Sequence, residues 1–277
     1  MGYERRFNPS LKFKDRDKFT VYMQDDQPVK PANILNIVAT NQGRLPLTME
    51  TPVAKPFSPA KVAELMEAGH VVVDTRSSAE FGSGHIPGAY NVQMSSLEFE
   101  QRVGWVTPDD APLILVTNTA EEAQRCIFNM AFIALDSRVA GYLDDGMDAW
   151  VEDGRHVEQV PQMDVIDLKK RLSENGLQVL DVRDKEEWEE GHIKAAHFMP
   201  YTSLVPQLDI PAQIDKLDLS PEQSIAVTCA TGKRSSTAIS ILRRNGFKHL
   251  YNVIGGMEAW EHAGYEMIDA EGNVCNI

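Results

Sequence analysis

The sequence contains little cysteine, with three residues in 277, at positions 126, 229 and 275. Three scattered thiols exclude a disulfide framework and a zinc site built on paired cysteines. They fit a reducing compartment, so we expect a cytoplasmic protein. No apolar run approaches the roughly 20 residues of a membrane span, and Met1–Arg6 does not open a secretory signal. A His-x-His-x-Asp-His motif is also missing, so we expect no catalytic metal and no cofactor.

Positive charge is scarce as well. Lys and Arg number 27 against 41 Asp and Glu, which gives a formal net charge of −14 and an isoelectric point near 4.9. This balance argues against nucleic acid or an anionic membrane as the main partner. Lys233, Arg234, Arg243 and Arg244 form a local basic exception. The length favours two domains, and 43% hydrophobic residues are typical of an ordinary globular protein.

The chain contains an internal repeat. Val71–Ala89 recurs as Gln178–Ala196 without a gap, and Asp145–Trp150 recurs as Gly255–Trp260. In each copy short apolar runs alternate with helical patterns, which predicts an α/β fold with a mainly parallel sheet flanked by helices on both faces. We therefore expect two homologous domains, at residues 57–157 and 158–277. The linker between them is predicted near Arg155–Pro161.

The segment Cys229–Ser235 follows an apolar, β-branched run, Ile225–Thr228, and precedes a helical apolar pattern, Thr237–Leu242. The cysteine is thus predicted at the carboxyl end of a buried strand, beside the amino terminus of a helix. Free backbone N–H groups and the helix dipole favour an anion at that position. Lys233 and Arg234 add positive charge, which favours the thiolate form of Cys229. The alternative is a buried structural cysteine.

Other polar residues have structural and functional interpretations. Each repeat carries an Asp-x-Arg pair after a buried strand, Asp74 with Arg76 and Asp181 with Arg183. We expect these pairs to cap and brace the following loop, although a catalytic acid with an anion clamp is the alternative. His85 and His192 could be general bases. Because His85 lies in a repeat without the equivalent cysteine, we interpret both histidines as turn scaffolding.

The remaining thiols and two tryptophans are interpreted as structural. Cys126 lies in an apolar helical pattern and is predicted to be in the core. Cys275 is two residues from the last position, where it could resolve a disulfide with Cys229 or be an incidental terminal thiol, which we favour. Trp150 and Trp260 are expected to pack in the two cores.

The Asp-x-Arg, Glu-Phe/Trp and Gly-His-Ile pattern, the six-residue loop opened by Cys229, and the segment Gly256–Trp260 together resemble the rhodanese family of sulfurtransferases, over approximately residues 57–277. In that family a cysteine takes a sulfane sulfur from a donor such as thiosulfate and passes it to a thiophilic acceptor. The resemblance implies that Cys229 is the nucleophile and sulfur carrier. It also implies a substrate-binding loop consisting of Ala230, Thr231, Gly232, Lys233, Arg234 and Ser235. The backbone N–H groups would form a cradle, Lys233 and Arg234 would attract the anionic donor, and Ser235 would donate a hydrogen bond.

Two details refine this resemblance. Four residues separate Cys229 from Arg234, whereas phosphatases of the same fold have five residues there to surround a phosphate. The shorter loop favours sulfur transfer over a phosphatase or arsenate reductase activity. Large two-domain sulfurtransferases commonly have an arginine at the position of Glu187, which counts against mercaptopyruvate as the donor.

The first repeat lacks the reactive residue. Its sequence aligns Asn118 with Cys229 and places Glu121 and Glu122 in the corresponding loop. An amide cannot carry a sulfane sulfur, and two glutamates would repel an anion. We therefore predict that domain 57–157 is catalytically inactive and that domain 158–277 is active.

Residues 1–56 lie outside the repeat. Gly2–Pro9 and Pro31–Asn36 resemble the tail of metallo-β-lactamase-fold enzymes of the persulfide dioxygenase type, some of which are fused to rhodanese domains. This resemblance implies that the chain corresponds to the C-terminal part of such a fusion, with the dioxygenase domain as its partner; an arm packing on the first domain is the alternative. The expected activity is transfer of sulfane sulfur from thiosulfate or a low-molecular-weight persulfide to a thiol or cyanide-like acceptor. A relay module that delivers persulfide to a partner protein is the second hypothesis.

Overall fold

A computed structural model describes residues 2–25, 30, 32–50, 52–174, 176–204, 217, 219 and 222–275. The helices in these residues are α1 (Gly2–Phe7), α2 (Arg16–Asp25), α3 (Ile34–Asn41), α4 (Pro59–Glu67), α5 (Ser78–Ser83), α6 (Phe99–Val106), α7 (Ala120–Ala131), α8 (Gly146–Glu152), α9 (Val165–Ser173), α10 (Lys185–Glu190), α11 (Lys233–Arg244) and α12 (Gly256–His262). Short 3-10 turns span Pro9–Lys12, Asp136–Arg138 and Tyr201–Ser203.

The strands are β1 (Pro56–Phe57), β2 (Val71–Asp74), β3 (Tyr90–Asn91), β4 (Leu113–Val116), β5 (Val139–Leu143), β6 (Gln162–Met163), β7 (Gln178–Asp181), β8 (Ala196–Phe198), β9 (Ile225–Thr228) and β10 (Leu250–Val253). They form two five-stranded sheets, with orders β1-β5-β4-β2-β3 and β6-β10-β9-β7-β8, and every pairing is parallel. The central strands are apolar and buried on both faces, as parallel strands covered by helices require. The identical strand order confirms the predicted fold class, two parallel sheets flanked by helices.

The turn after β2 shows how the repeated residues shape the domain. Arg76 forms a two-pronged ion pair with Asp74, which is fully buried, and its guanidinium also donates to the Gly84 carbonyl at 2.8 Å. His85 Nδ1 lies 2.8 Å from the Phe81 carbonyl oxygen, and its ring stacks on the Phe81 ring. These contacts fold the segment after β2 back onto the sheet, and none of them involves a free catalytic group.

The second domain repeats the same turn. Arg183 pairs with the buried Asp181 and donates to the Gly191 carbonyl at 2.7 Å. His192 stacks on Trp188, and its Nδ1 lies 2.9 Å from the Trp188 carbonyl oxygen. The two Asp-Arg pairs and both histidines therefore brace turns in both domains.

The region predicted as the linker packs on the first domain. Glu158 forms an antiparallel bridge with His85, and the Val160 N–H donates to the Gly82 carbonyl at 3.0 Å. The side chain of Gln162, the first residue of β6, also lies against Gly82 of the first domain. The segment is consequently a structured connection between the two sheets.

Helix α11 joins the two domains. All eight residues from Ser235 to Leu242 are buried, because one side of the helix covers its own sheet and the other meets β3 of the first domain. Ser236 Oγ donates to Asn91 Oδ1 at 2.6 Å, and the Asn91 N–H donates to Ser240 Oγ at 3.2 Å. Apolar residues of both domains form one continuous core cluster around this contact.

Two of the four basic residues noted in the sequence, Arg243 and Arg244, contact the first domain from α11. Arg243 donates to the Gln159 carbonyl at 2.5 Å and pairs with Glu158 at 3.0 Å. Arg244 donates to the Gly88 carbonyl, and its guanidinium carbon lies 4.6 Å from the centre of the Tyr90 ring. These two arginines hold the domains together.

The segment before β1 contacts the first domain through its middle part. The Ala32 N–H donates to Gln101 Oε1 at 2.7 Å, and Asn33 Nδ2 donates to the carbonyls of Ile133 and Ala134. Helix α1 contains no buried residue. Packing of an arm on the first domain is therefore observed around Ala32 and Asn33. Pro31, part of the segment that resembles the dioxygenase tail, lies outside the described residues.

Candidate functional site

Cys229 lies at the carboxyl edge of the second sheet. The register of β7 and β9 sets Asp181 opposite Thr228, so Cys229 is the first residue beyond the strand. Four residues later the chain enters α11 at Lys233, with Gly232 as the N-cap at φ +95°. A side chain at Gly232 would be strained by this φ and would crowd the Val253 carbonyl oxygen at 3.1 Å. Glycine therefore allows the short turn that the sequence predicted.

The segment after β10 holds this loop in place. The Met257 N–H donates to the Cys229 carbonyl at 2.7 Å, and the Glu258 N–H donates to the Ala230 carbonyl at 3.0 Å. Gly256 permits the approach, because a Cβ there would overlap both carbonyl oxygens. The repeated Gly-Met motif thus presses the start of α12 against the backbone of the cysteine loop.

The sulfur atom is almost enclosed by its own loop. Cys229 is 1% exposed, and the Gly232 N–H donates to its Sγ at 3.1 Å. Ser235 Oγ lies 3.6 Å from the sulfur on the first turn of α11. The structure therefore brings together Cys229, Gly232 and Ser235 of the predicted site. A thiolate at this point would be stabilised by the N–H group and by the helix amino terminus.

The Ser235 hydroxyl has a partner that the sequence did not reveal. It donates to Asn252 Oδ1 at 2.6 Å, while Asn252 Nδ2 donates to Gln162 Oε1 at 2.9 Å. With the thiol protonated, Ser235 accepts a hydrogen bond from Cys229, so the predicted donation to sulfur is not the arrangement observed. The sequence signal for this partner was an asparagine within the otherwise apolar run that forms β10. In the structure Asn252 is 1% exposed, so its side chain needs hydrogen-bond partners.

Arg234 has two acidic partners. Its guanidinium donates to both carboxylate oxygens of Glu187, at 2.5 and 2.7 Å, and to Asp184 at 2.9 Å. Burial raises the pKa of Glu187, but the hydrogen bonds and charge of Arg234, the Asp184 N–H and the charge of Arg183 together outweigh burial, and the pKa is lowered. Two carboxylates compensate the charge of the arginine in this arrangement, and its attraction of an anionic donor stays a prediction. Arg234 ties the first turn of α11 to α10.

Lys233 lies where the sequence predicted it, beside the cysteine loop. Its Nζ donates to the carbonyl of Ser95, in the first domain, at 3.3 Å. A carbonyl does not neutralise the ammonium charge, and no ion pair to Lys233 is present among the described residues. Lys233 therefore carries an uncompensated positive charge at this edge of the sheet.

The sheet register corrects the alignment of the first domain. Asp74 stands opposite Val116 as Asp181 stands opposite Thr228, so Thr117, not Asn118, occupies the position of Cys229. The Thr117 hydroxyl donates to the Thr119 carbonyl at 2.8 Å. Helix α7 starts at Ala120, one residue earlier than its counterpart, and the loop is correspondingly shorter. The sequence alignment matched Val116-Thr117 with Val227-Thr228, but in the sheets these two pairs are offset by one position.

The side chains around this shorter loop also differ. Asn118 is exposed, its Nδ2 donates to Glu80 Oε1 at 3.0 Å, and its N–H donates to Glu122 at 3.0 Å. Glu80 is the counterpart of Glu187, so its arginine partner has been replaced by an amide. The first domain presents no thiol at this position.

The two other cysteines have different environments. Cys126 is fully buried, and burial raises its pKa to about 12. Cys275 Sγ lies 3.4 Å from the Glu190 carbonyl oxygen, next to Gly191. No disulfide joins the cysteines, which are all within the described residues.

Two clefts flank the cysteine loop. One of about 210 Å³ lies between the domains and is lined by Ser95, Ser96, Leu97, Arg102, Ala230, Thr231, Lys233 and Arg234. The other, of about 270 Å³, is lined in part by Glu187, Glu190, Glu258 and Glu261. The glutamates of the second cleft outnumber its one arginine, Arg183, and disfavour an anion there, whereas the cations Arg102, Lys233 and Arg234 line the first cleft.

Within the described residues, no group of three or more His, Cys, Asp or Glu side chains is arranged to hold a metal ion. No helix in the same part of the chain has both the length and the apolar character to span a membrane.

Comparisons with known proteins agree with the repeated architecture. The rhodanese-like domain profile matches residues 58–153 and again 164–263. Thiosulfate sulfurtransferase 18 of Arabidopsis thaliana is 37% identical over 110 residues, covering 37% of this chain and 79% of that protein. Thiosulfate sulfurtransferase GlpE of Pseudomonas paraeruginosa is 32% identical over 91 residues, covering 33% and 76%. YrkF of Bacillus subtilis is 27% identical over 106 residues, 38% of this chain, and the match spans only 53% of its length. Two profile matches over more than half of the chain, in domains with the same sheet order, show that the protein belongs to the rhodanese family.

Proposed function

We propose that the protein is a sulfurtransferase in which Cys229 carries the sulfane sulfur as a persulfide. The observation that carries the proposal is the position of the thiol, with the Gly232 N–H donating to Sγ at 3.1 Å at the amino terminus of α11. A persulfide anion at this point would be held by the same N–H group and helix dipole. Thiosulfate sulfurtransferases among the relatives support this chemistry.

The proposed reaction has two half-reactions. The Cys229 thiolate attacks the outer sulfur of thiosulfate, a new S–S bond forms, and the old S–S bond breaks with its electron pair leaving on sulfite. The enzyme persulfide then gives its outer sulfur to a thiophilic acceptor such as cyanide, and the thiolate is regenerated. No oxidant or cofactor is consumed, because the electron pairs balance in each step. Such a cycle is ping-pong.

The geometry favours small donors. Because Cys229 is 1% exposed, a donor has to present its sulfane sulfur at a narrow end. Thiosulfate and low-molecular-weight persulfides have this shape. Mercaptopyruvate is disfavoured as the donor because position 187 is a glutamate where an arginine is common in the large two-domain enzymes. Glu187 is bound by Arg234.

A phosphatase activity is disfavoured by the same loop. Phosphate transfer needs an arginine that can fork onto the phosphoryl oxygens. Arg234 is instead held by Glu187 and Asp184. With four residues between Cys229 and Arg234, the loop is also shorter than a phosphate-binding loop of this fold.

Intact-mass analysis tests the proposal. After incubation with thiosulfate, the wild-type protein should gain the mass of one sulfur atom and release it as thiocyanate when cyanide is added. Cys229→Ser should show neither, because a hydroxyl is a far weaker nucleophile at neutral pH and cannot carry a persulfide. Cys275→Ser is the matched control and should behave as wild type. Sulfur transfer by purified Cys229→Ser would contradict the assignment.

The relay hypothesis is separated by the acceptor. If the loaded protein passes sulfur to a protein thiol but yields no thiocyanate, delivery to a partner is the function.

We further propose that domain 57–157 is catalytically inactive, since Thr117 replaces the cysteine. The link to a metallo-β-lactamase-fold persulfide dioxygenase rests on the sequence resemblance of residues 1–56, and association with such a domain in solution would test it.

A further inference from the structure

The inter-domain cleft contains a cation that the first domain contributes. Arg102 lies on α6 and shares the cleft with Ala230, Thr231 and Lys233 of the second domain. Its Nε is buried and, within the described part of the chain, has no hydrogen-bond partner. This contrasts with Arg234 in the same cleft, whose guanidinium is paired with the carboxylates of Asp184 and Glu187.

Aromatic side chains fix the position of Arg102. Its guanidinium carbon lies 5.5 Å from the centre of the Tyr201 ring, and the Tyr201 and Trp105 rings are 6.4 Å apart. Tyr201 belongs to the second domain and is buried. A cation against an aromatic face is attracted to it without being neutralised, so Arg102 keeps its charge and its hydrogen-bond donors.

The charges of the cleft match an oxyanion. A guanidinium presents paired N–H groups that fit the oxygen atoms of a sulfonate, and buried donors of this kind are normally bonded. Lys233, contributed by the second domain, adds another positive charge to the cleft, with only a carbonyl as its partner among the described residues. Ala230, the residue after Cys229, lines the same cleft, so an anion there lies beside the cysteine loop.

We propose that Arg102 of the first domain binds the oxyanion end of the sulfur donor, so that the substrate site of the second domain is completed by the first. The proposal rests on the sulfurtransferase function proposed above. The donor then lies with its sulfane sulfur towards Cys229 and its sulfonate towards Arg102 and Lys233. Sulfite leaves from the same position when the S–S bond breaks.

Direct binding tests this without turnover. Thiosulfate binding is measured by calorimetry on Cys229→Ser and on the same protein with Arg102→Gln, Arg102→Lys or Arg125→Gln added. Arg102→Gln should weaken binding about tenfold and Arg102→Lys less, since it keeps the charge but not the fork. Arg125→Gln, an exposed position on α7, is the control and should leave binding unchanged.

Separate half-reactions supply the second readout. With Cys229 intact, Arg102→Gln should lower kcat/KM for thiosulfate about tenfold. It should leave discharge of a preformed persulfide to cyanide within about twofold of wild type, because sulfite has already departed. Loss of both half-reactions to the same extent would indicate a merely structural role.

The outcomes are distinguishable. Unchanged thiosulfate binding and unchanged loading in Arg102→Gln would overturn the role of Arg102, even if Cys229→Ser confirms the sulfurtransferase. Absence of any persulfide on the wild-type protein would remove the proposed function, and the role of Arg102 as donor site with it. If Arg102→Gln does not fold, Arg102→Lys decides, because wild-type affinity in that variant would contradict fork-type recognition.

Discussion

At the scale of single residues, two arginines that line the same cleft differ in their partners. Arg102 and Arg234 share one cleft, yet carboxylates hold only Arg234. The sequence could predict that Cys229 begins a loop at a helix amino terminus, because strand and helix patterns are local. It could not predict the partner of Arg234, because Glu187 is 47 positions away in sequence and is brought near by the sheet order.

His85 gives a pH-dependent prediction. Burial lowers its pKa from 6.5 to about 4, and the nearby Glu158 carboxylate, 3.9 Å away, is also engaged by Arg243. Between those two values the unfolded state binds more protons than the folded state, so stability is lost as the pH falls. The free energy of unfolding should drop by about 2 kcal/mol between about pH 7 and about pH 5 through this residue alone.

Urea titrations of wild type and His85→Gln at both pH values measure that contribution. The variant should start less stable and lose less on acidification, because glutamine does not titrate. The other acidic groups are common to both proteins and cancel in the difference. Parallel pH slopes for the two proteins would contradict the prediction.

At the scale of structural elements, the amino terminus of α12 and the cysteine loop act as one unit. Gly256→Ala should disrupt the loop, because its Cβ would overlap the Cys229 and Ala230 carbonyl oxygens. We expect persulfide formation to fall at least about tenfold and stability to fall by about 1–3 kcal/mol. Thiosulfate loading followed by mass analysis, with urea denaturation, measures both.

Gly264→Ala is the matched control for this change. Gly264 also has a positive φ, +69°, but nothing lies within 4 Å of an added Cβ. It should show the stability cost of the backbone conformation and keep full loading. Equal loss of loading in both variants would show that strain, and not the close approach, governs the loop.

The repeat predicted a parallel sheet flanked by helices in each domain, whereas the order and the register of the strands were not accessible from it. The offset between Asp74 and Asp181 is constant through His85 and His192, and it correctly aligns the turns. After these turns the alignment changes, because α7 begins one residue earlier after its strand than α11 does. Only the hydrogen-bonded register of the strands shows that Thr117, and not Asn118, is the counterpart of Cys229. Asn252 was missed for a related reason, since its partner Gln162 belongs to a strand 90 positions away.

At the scale of the whole molecule, the two domains share one core through α11. We expect a single cooperative unfolding transition in calorimetry, with equal calorimetric and van't Hoff enthalpies. Ser236→Ala should lower its midpoint, because Asn91 Oδ1 loses a buried donor at a cost of about 1–3 kcal/mol. Ser137→Ala, at an exposed position, is the control and should leave the midpoint unchanged.

Two resolved transitions, with only one of them shifted by Ser236→Ala, would show that the domains unfold independently. The internal repeat predicts two domains but contains no information about their contact. The contacts of Ser236 and Ser240 were not predicted from the sequence, because only the fold shows which face of α11 meets β3.

The contact between α11 and β3 also bears on aggregation. A strand at the edge of a sheet offers unpaired N–H and C=O groups that can recruit another chain. In the first domain that edge is covered, since the Asn91 N–H donates to Ser240 Oγ. Any event that parts the domains, such as a proteolytic cut in the connection, would uncover this edge together with apolar residues of α11. Self-association after such a cut would then compete with rejoining, and increasingly so as the protein concentration rises.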